Sequence, residues 1–430
     1  MGTANRPGGM SQAILREITD FYLRSADFNG VPLATLRALV ELPWGRLRRH
    51  LAELIKSGKV SLAFGSVQSN PHIKMRPDLA ASQQIEKLRQ ERPEGICAYP
   101  SAATLQAVLD VTQYGDRPFT KRLALGEPQL LPVYFDLPVL ETYYADPRYR
   151  FEFDGYVGYI SISDEHYQSE DTASKDQVAL QTFGLGYDAK GDRVAVVFLR
   201  YLSDLSAEHQ VVWNTHVRDD DCRMEEDYYR TAILGEFIED RSVYSAFLHE
   251  QVVINRMARR MGRPVLFRET FENTRPKEFS LFLRPTAKNY RSFVHVLDKL
   301  LSENINKDFF RDEVRMSDRI EQPDGTVEIQ ARGTLSLLED WLRIRFPLQD
   351  DAVFNEIMEP PKEVRKLRSK GPAHRLEEDR YDRDYYRQQD ELMKRVYLAV
   401  RNLRVVLATA PKARKVNVPQ WLLEGRIKAY

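Results

Sequence analysis

Apolar side chains recur every three or four positions in several stretches of the chain, the spacing that lines one face of a helix. Ser11 to Ser25 sets Ile14, Ile18, Phe21 and Tyr22 on one side, and Phe28-Asn29-Gly30 breaks the pattern. A short helix is expected from Leu33 to Val40. A third runs from Trp44 to Ser57, carrying Leu47, Leu51, Leu54 and Ile55 inward and stopped by Gly58. Two extended runs follow, Lys59 to Phe64 and His72 to Arg76, around a turn region from Gly65-Ser66 to Asn70-Pro71. Ala81 to Gln90 reads as a linking helix, and Glu91-Arg92-Pro93-Glu94-Gly95 as a boundary.

Past that boundary the period shortens to two. Arg150 to Phe153 and Tyr156 to Ile162 alternate around Asp154-Gly155, a dipeptide suited to a tight hairpin, and Val178 to Tyr187 faces Arg193 to Tyr201 across Asp188 to Asp192. Together they predict an antiparallel sheet of at least four strands. Helices are expected at Ala207 to Trp213, Glu225 to Phe237, Val243 to Met261 and Tyr290 to Ser302, with a strand at Pro264 to Phe271. The charged stretch Asp308 to Gly325, containing Pro323-Asp324-Gly325, reads as a second boundary. The helical period then returns, with Leu335, Leu338, Trp341 and Leu342 in Thr334 to Arg345, and Leu392, Val396, Ala399, Val400, Leu403 and Leu407 in Arg383 to Ala408.

Composition narrows the classes. With 430 residues, 43% of them hydrophobic and 10% aromatic, the chain can build more than one packed core. Its 63 Lys and Arg balance 63 Asp and Glu, so any nucleic-acid contact must come from a local surface and not from a global basic field. Cys97 and Cys222 lie far apart, with neither a CxxC spacing nor a histidine at ligand spacing. No zinc site or disulfide framework is expected, and no other metal or cofactor is called for. Met1 to Met10 lacks the apolar core of a signal peptide, and no run approaches the ~20 apolar residues that a membrane span needs. Met1-Gly2 opens a myristoylation pattern, but Arg6 stands where Ser or Thr is required. A cytoplasmic location without a membrane partner is expected.

Three helices and a hairpin over residues 10–80 resemble winged helix-turn-helix domains. The resemblance implies that the third helix enters the major groove while the hairpin leans on the backbone. Arg46, Arg48 and Arg49 fall on the polar side of that helix, and Lys56, Lys59, Lys74 and Arg76 extend the basic strip toward phosphates of DNA or RNA. Winged helices also serve as dimerisation and docking modules, and an arginine on an exposed helix face also has a plain solvated role. Both readings stand at this point.

A second stretch carries candidate chemistry: Glu363-Val364-Arg365-Lys366-Leu367-Arg368-Ser369-Lys370-Gly371-Pro372-Ala373-His374, set between two helical segments. Val364, Leu367 and Arg368 suit the last turn of a short helix, Gly371 supplies a C-terminal break, and Pro372 is pre-set to begin a new turn. Such an interruption can bring Arg368 and His374 to one space. There an arginine can hold a phosphate while a histidine moves the proton of a ribose 2′-hydroxyl. An Arg and a His separated by five residues, with polar Ser369 after the Arg, in a helical C-terminal region, resemble the HEPN superfamily of RNA-cleaving toxins and defence effectors. The resemblance covers about the last quarter of the chain. It implies a metal-independent endoribonuclease or RNA-binding module in antiviral defence or toxin–antitoxin control, a site shared across a homodimer, and catalytic roles for Arg368, His374 and Ser369, with Arg365 as a supporting donor. The residues by themselves also suit an ion pair between Arg368 and an acidic neighbour and a helix cap at His374.

Other clusters are weaker. The acidic run Asp219, Asp220, Asp221, Glu225, Glu226 and Asp227 lacks calcium-loop spacing, and His209 and His216 have no third ligand nearby. Gly184-Leu185-Gly186 falls on a strand instead of between a strand and a helix, so it does not read as a phosphate cradle. The aromatic-rich stretches around Tyr134, Tyr143 and Tyr156 read as core. The expected fold class is multidomain α+β, with a winged helix (10–80), a mixed α+β middle domain with an antiparallel sheet (95–305) and an all-α C-terminal bundle (330–410). Two functions fit it: a HEPN-like effector that cleaves or binds RNA, or a non-enzymatic DNA-binding regulator or scaffold subunit that dimerises through its helical tail.

Overall fold

Helices and antiparallel sheets are mixed along the chain, which divides into two units, residues 1–151 with 157–236, and residues 152–156 with 237–430. The computed structural model describes residues 7–66, 70–75, 78–272, 274–324, 326–346, 351–370 and 379–430. Among them, no helix is long and apolar enough to cross a membrane.

The first unit opens with α1 (Pro7–Arg24), β1 (Val31–Pro32), α2 (Leu33–Leu39), α3 (Trp44–Lys56), β2 (Val60–Phe64), α4 (Ala81–Gln90) and β3 (Ile96–Pro100). The helices follow the periodicity of the sequence. The expected hairpin does not. β2 pairs with β3 instead of with residues 72–75, Arg76 of the expected strand lying outside the described residues, and β3 lies between β1 and β2, antiparallel to both, so that Ala98 has Val31 on one side and Leu62 on the other. Every residue of β3 is buried, so the central strand reads as a continuous apolar run without alternation. Residues 70–75, which follow a polar turn and begin with Asn70-Pro71, form no strand. The segment Glu91 to Gly95, expected as a boundary, turns the chain into β3, with Gly95 at a φ of 82° that glycine adopts without strain.

One core therefore spans the first hundred residues, with Ile14 and Ile18 of α1, Leu47 and Leu51 of α3, Ile85 and Leu88 of α4, and Ile96 of β3. It is tied to the rest of the unit by polar contacts. Buried Gln129 donates to the Phe28 carbonyl at 2.8 Å and accepts from the Lys74 amide at 2.7 Å. The Tyr22 hydroxyl donates to the Leu123 carbonyl at 2.6 Å.

The unit continues through α5 (Ala102–Val108), α6 (Pro118–Ala124), β4 (Pro132–Asp136), α7 (Glu141–Ala145), the first half of β5 (Tyr149–Asp154), whose residues 152–154 count with the second unit, and β6 (Val157–Ile162). It closes with α8 (Asp164–Tyr167), β7 (Ala179–Asp188), β8 (Arg193–Phe198), α9 (Leu199–Ser203), α10 (Ala207–Asn214), β9 (Cys222–Met224) and α11 (Glu226–Ala232). β5 to β8 are the predicted antiparallel strands. They join a six-stranded sheet of order β4-β8-β7-β6-β5, with β9 on β7. Gly184 in β7 is there for packing, because a Cβ would run into the Tyr228 ring.

The second unit holds β10 (Arg241–Ser242), α12 (Val243–Arg260), α13 (Ala287–Leu300), β11 (Ser317–Glu321), β12 (Val327–Ala331), α14 (Thr334–Arg345), α15 (Asp351–Lys370), α16 (Asp384–Leu407), α17 (Gln420–Glu424) and β13 (Ile427–Lys428). α12 packs on α16 and α13 on α15, so helices expected in the middle of the chain share this unit with the C-terminal ones. Arg404 of α16 forms a buried ion pair with Glu250 of α12. The charged stretch expected as a second boundary contributes β11 of an antiparallel hairpin, whose other strand, β12, ends at Ala331, where the expected helical region begins. Its charges hide the strand because nearly every position of the hairpin is exposed, leaving no apolar face to alternate. Of the strand expected from 264 to 271, only a bridge between Phe267 and Ile305 forms.

Candidate functional site

Two surfaces carry the residues singled out in the sequence. On α3, Leu47, Leu51, Leu54 and Ile55 are buried, which turns the opposite side to solvent. Arg46, Arg49 and Lys56 are exposed there, Lys59 is exposed just past the end of the helix, and none of the four forms an ion pair among the described residues. Arg48 is held differently, donating to the Arg89 carbonyl at 3.1 Å with its guanidinium 6.0 Å from the Trp44 ring. Arg37 of α2 is exposed as well; a lone basic residue on a short helix gave no signal in the sequence.

Lys74 does not extend the strip. Its ammonium pairs with Asp78 at 2.8 Å, its side chain is only 12% exposed, and it sits 5.6 Å from the Tyr99 ring. A cation with a carboxylate and an aromatic face already beside it has little to gain from a phosphate. Arg76 lies outside the described residues.

The second surface lies at the end of α15. This helix is longer than expected, running through Pro360-Pro361, and Arg368 and Ser369 occupy its last turn. Arg368 donates to Asp298 of α13 at 2.5 Å and also to Glu303. Arg365 donates to the same Asp298 oxygen at 2.8 Å, and the Ser302 hydroxyl donates to its other oxygen. Asp298 is fully buried, so these donors supply what water cannot. Asp298 first, and then Glu303, raises the Arg368 guanidinium above its ordinary value. The Ser369 hydroxyl donates back to the carbonyls of Arg365 at 2.8 Å and Lys366 at 3.2 Å, a local bond within the helix. His374, with Gly371 and Pro372, lies outside the described residues.

Two further clusters have structural partners. Arg218 donates to Asp136 at 2.9 Å, Asp188 at 3.2 Å and Asp220 at 2.5 Å, which places Asp220 of the acidic run in an ion-pair group. His209 Nδ1 is 2.6 Å from the Tyr143 hydroxyl, which accepts from the Trp213 indole at 2.9 Å, and burial lowers the imidazole pKa. The exposed face of α3 is thus where cations from the sequence analysis remain open to a ligand.

Comparison of the chain with protein-family models, with characterised proteins and with solved structures finds no match in any of the three.

Proposed function

We propose that the first unit binds duplex DNA through α3 in the manner of a winged helix, as a non-enzymatic regulator or scaffold subunit. The observation that carries this reading is the packing of α3 against α1, α4 and β2, the last an edge of the β1-β3-β2 sheet, which buries one side of α3 and leaves Arg46 and Arg49 free of ion pairs among the described residues on the other. A helix so supported is rigid enough to present its cations at a groove, and guanidinium groups suit both phosphates and guanine edges. Lys56 and Lys59 add charge at its C-terminal end. The HEPN-like reading of Arg368, Ser369 and His374 needs an arginine available to a phosphate. Arg368 is engaged by two carboxylates, which favours the DNA-binding reading.

Fluorescence anisotropy with a labelled duplex over a salt series tests the proposal. Affinity is expected to fall linearly on a log–log plot with salt, by a slope of about 0.9 for each phosphate neutralised. Absence of binding at low salt overturns it. RNA incubated with the protein and a chelator is expected to stay intact; fragments that disappear in His374→Ala would restore the RNA-cleaving reading.

A further inference from the structure

The hairpin of β11 and β12 stands apart from the packing logic of the rest of the second unit. All of β12 is exposed, and Ile329 and Val327 are 69% and 46% exposed. A two-stranded hairpin with solvent on both faces is marginal by itself. Its base is nevertheless fixed: Arg332 pairs with Asp340 and Asp318 and donates to the Ser336 hydroxyl at 3.0 Å, while Lys307 donates to the Arg332 carbonyl at 3.0 Å.

The hydrogen-bond phase shows which backbone groups are left over. The Gln322 amide donates to the Thr326 carbonyl at 2.8 Å, and the Arg332 amide to the Met316 carbonyl at 3.0 Å. Hydrogen-bonded and non-bonded pairs alternate along an antiparallel ladder, so in the observed register Asp318–Gln330 and Ile320–Glu328 are the bonded pairs. The N–H and C=O groups of Val327, Ile329 and Ala331 therefore point away from β11, along an edge to which no strand is paired among the described residues. The corresponding outward positions of β11 are Ser317, Arg319 and Glu321. Charged residues are how natural edge strands discourage pairing; the β12 edge has apolar residues at those positions instead.

We infer that the β12 edge is a self-association surface on which a second copy of this chain adds its own β12 antiparallel, about a two-fold axis through Ile329. The sequence of the strand fits itself. With Ile329 opposite Ile329, Val327 meets Ala331 and Glu328 meets Gln330, so apolar groups face apolar groups and no carboxylate faces another. A two-fold at Glu328 sets two carboxylates against each other. One at Gln330 leaves Val327 outside the paired stretch. The Ile329 register alone opposes the three apolar residues to one another and joins all of their outward N–H and C=O groups in a four-stranded antiparallel sheet. The inference is independent of DNA binding.

Sedimentation velocity of the full chain across a concentration series, with self-cross-linking as the register test, decides it. The native protein is expected to reach a dimer. Ile329→Cys in a Cys222→Ser background is expected to cross-link to itself under mild oxidation, because facing Cα atoms of a hydrogen-bonded pair lie about 5.5 Å apart, within disulfide reach. Arg319→Cys, on the other strand, is expected to stay uncross-linked. Ile329→Pro removes an N–H that the hairpin itself does not use, so it is expected to leave the circular dichroism spectrum unchanged and to yield a monomer. A protein monomeric at every concentration overturns the inference. So does a dimer that survives Ile329→Pro, or a dimeric Ile329→Cys variant that fails to cross-link.

Discussion

The arginines of α3 and those at the end of α15 look alike in sequence, as basic residues on the polar side of an amphipathic helix, yet their surroundings differ completely. Arg46 and Arg49 face solvent with no ion pair among the described residues, whereas Arg365 and Arg368 converge on a carboxylate that is itself buried. The first pair adds little to folding and is open to an anion. The second replaces the water that Asp298 gives up and is committed before any ligand arrives. An arginine marks a binding surface only when nothing inside the protein has already claimed it.

Four experiments put this contrast to the test. The largest effect is expected from Arg404→Ala, which leaves Glu250 buried without its partner; chemical denaturation should show a loss of about 3–5 kcal/mol. Arg368→Ala is expected to cost roughly 1–3 kcal/mol, less because Arg365 and Ser302 still serve Asp298. If stability were unchanged and an RNA-directed activity lost, the structural role assigned to Arg368 would be wrong. A pH titration gives a third handle. Hydrogen bonds from Arg345 foremost, and from Arg263 and Trp341, hold the Glu313 carboxyl down to about 2 against an ordinary 4.5. A depressed acid stabilises the folded state above its unfolded value and loses that contribution as protons bind, so stability should decline from about pH 4.5 toward pH 2, and Glu313→Gln should flatten the decline. The smallest change in stability, within about 0.5 kcal/mol, belongs to Arg46→Ala with Arg49→Ala. That variant is expected to lower the salt slope of DNA binding by about 1 for each phosphate no longer neutralised, and an unaltered slope would remove α3 from the interface.

What the sequence made legible follows from where burial is one-sided. α3, α14 and α16 have a wet face and a dry face, and their periodicity located them to within a residue or so. β5 to β8 were legible from alternation and from the Asp154-Gly155 turn. The failures occur where burial is all or nothing. β3 is covered on both faces and β12 on neither, and neither strand alternates. Partner choice was opaque for another reason: Arg46 and Arg368 cannot be told apart until Asp298 and Glu303, which lie 70 and 65 positions upstream of Arg368, are seen beside it. Lys74 misleads in the same way, since the Tyr99 ring that covers it belongs to the strand that alternation missed.

The central position of β3 governs how the chain can be dissected. A fragment ending near residue 80 omits the strand that both β1 and β2 require, and with it Ile96 and Ala98 of the shared core. Extending it to residue 100 still abandons the Phe28 carbonyl and the Tyr22 hydroxyl, whose partners are Gln129 and Leu123. Gene truncation and domain transplantation that keep all of these contacts therefore cut downstream of residue 130, and fragments ending at residue 80 are expected to lose more stability than fragments ending at residue 100.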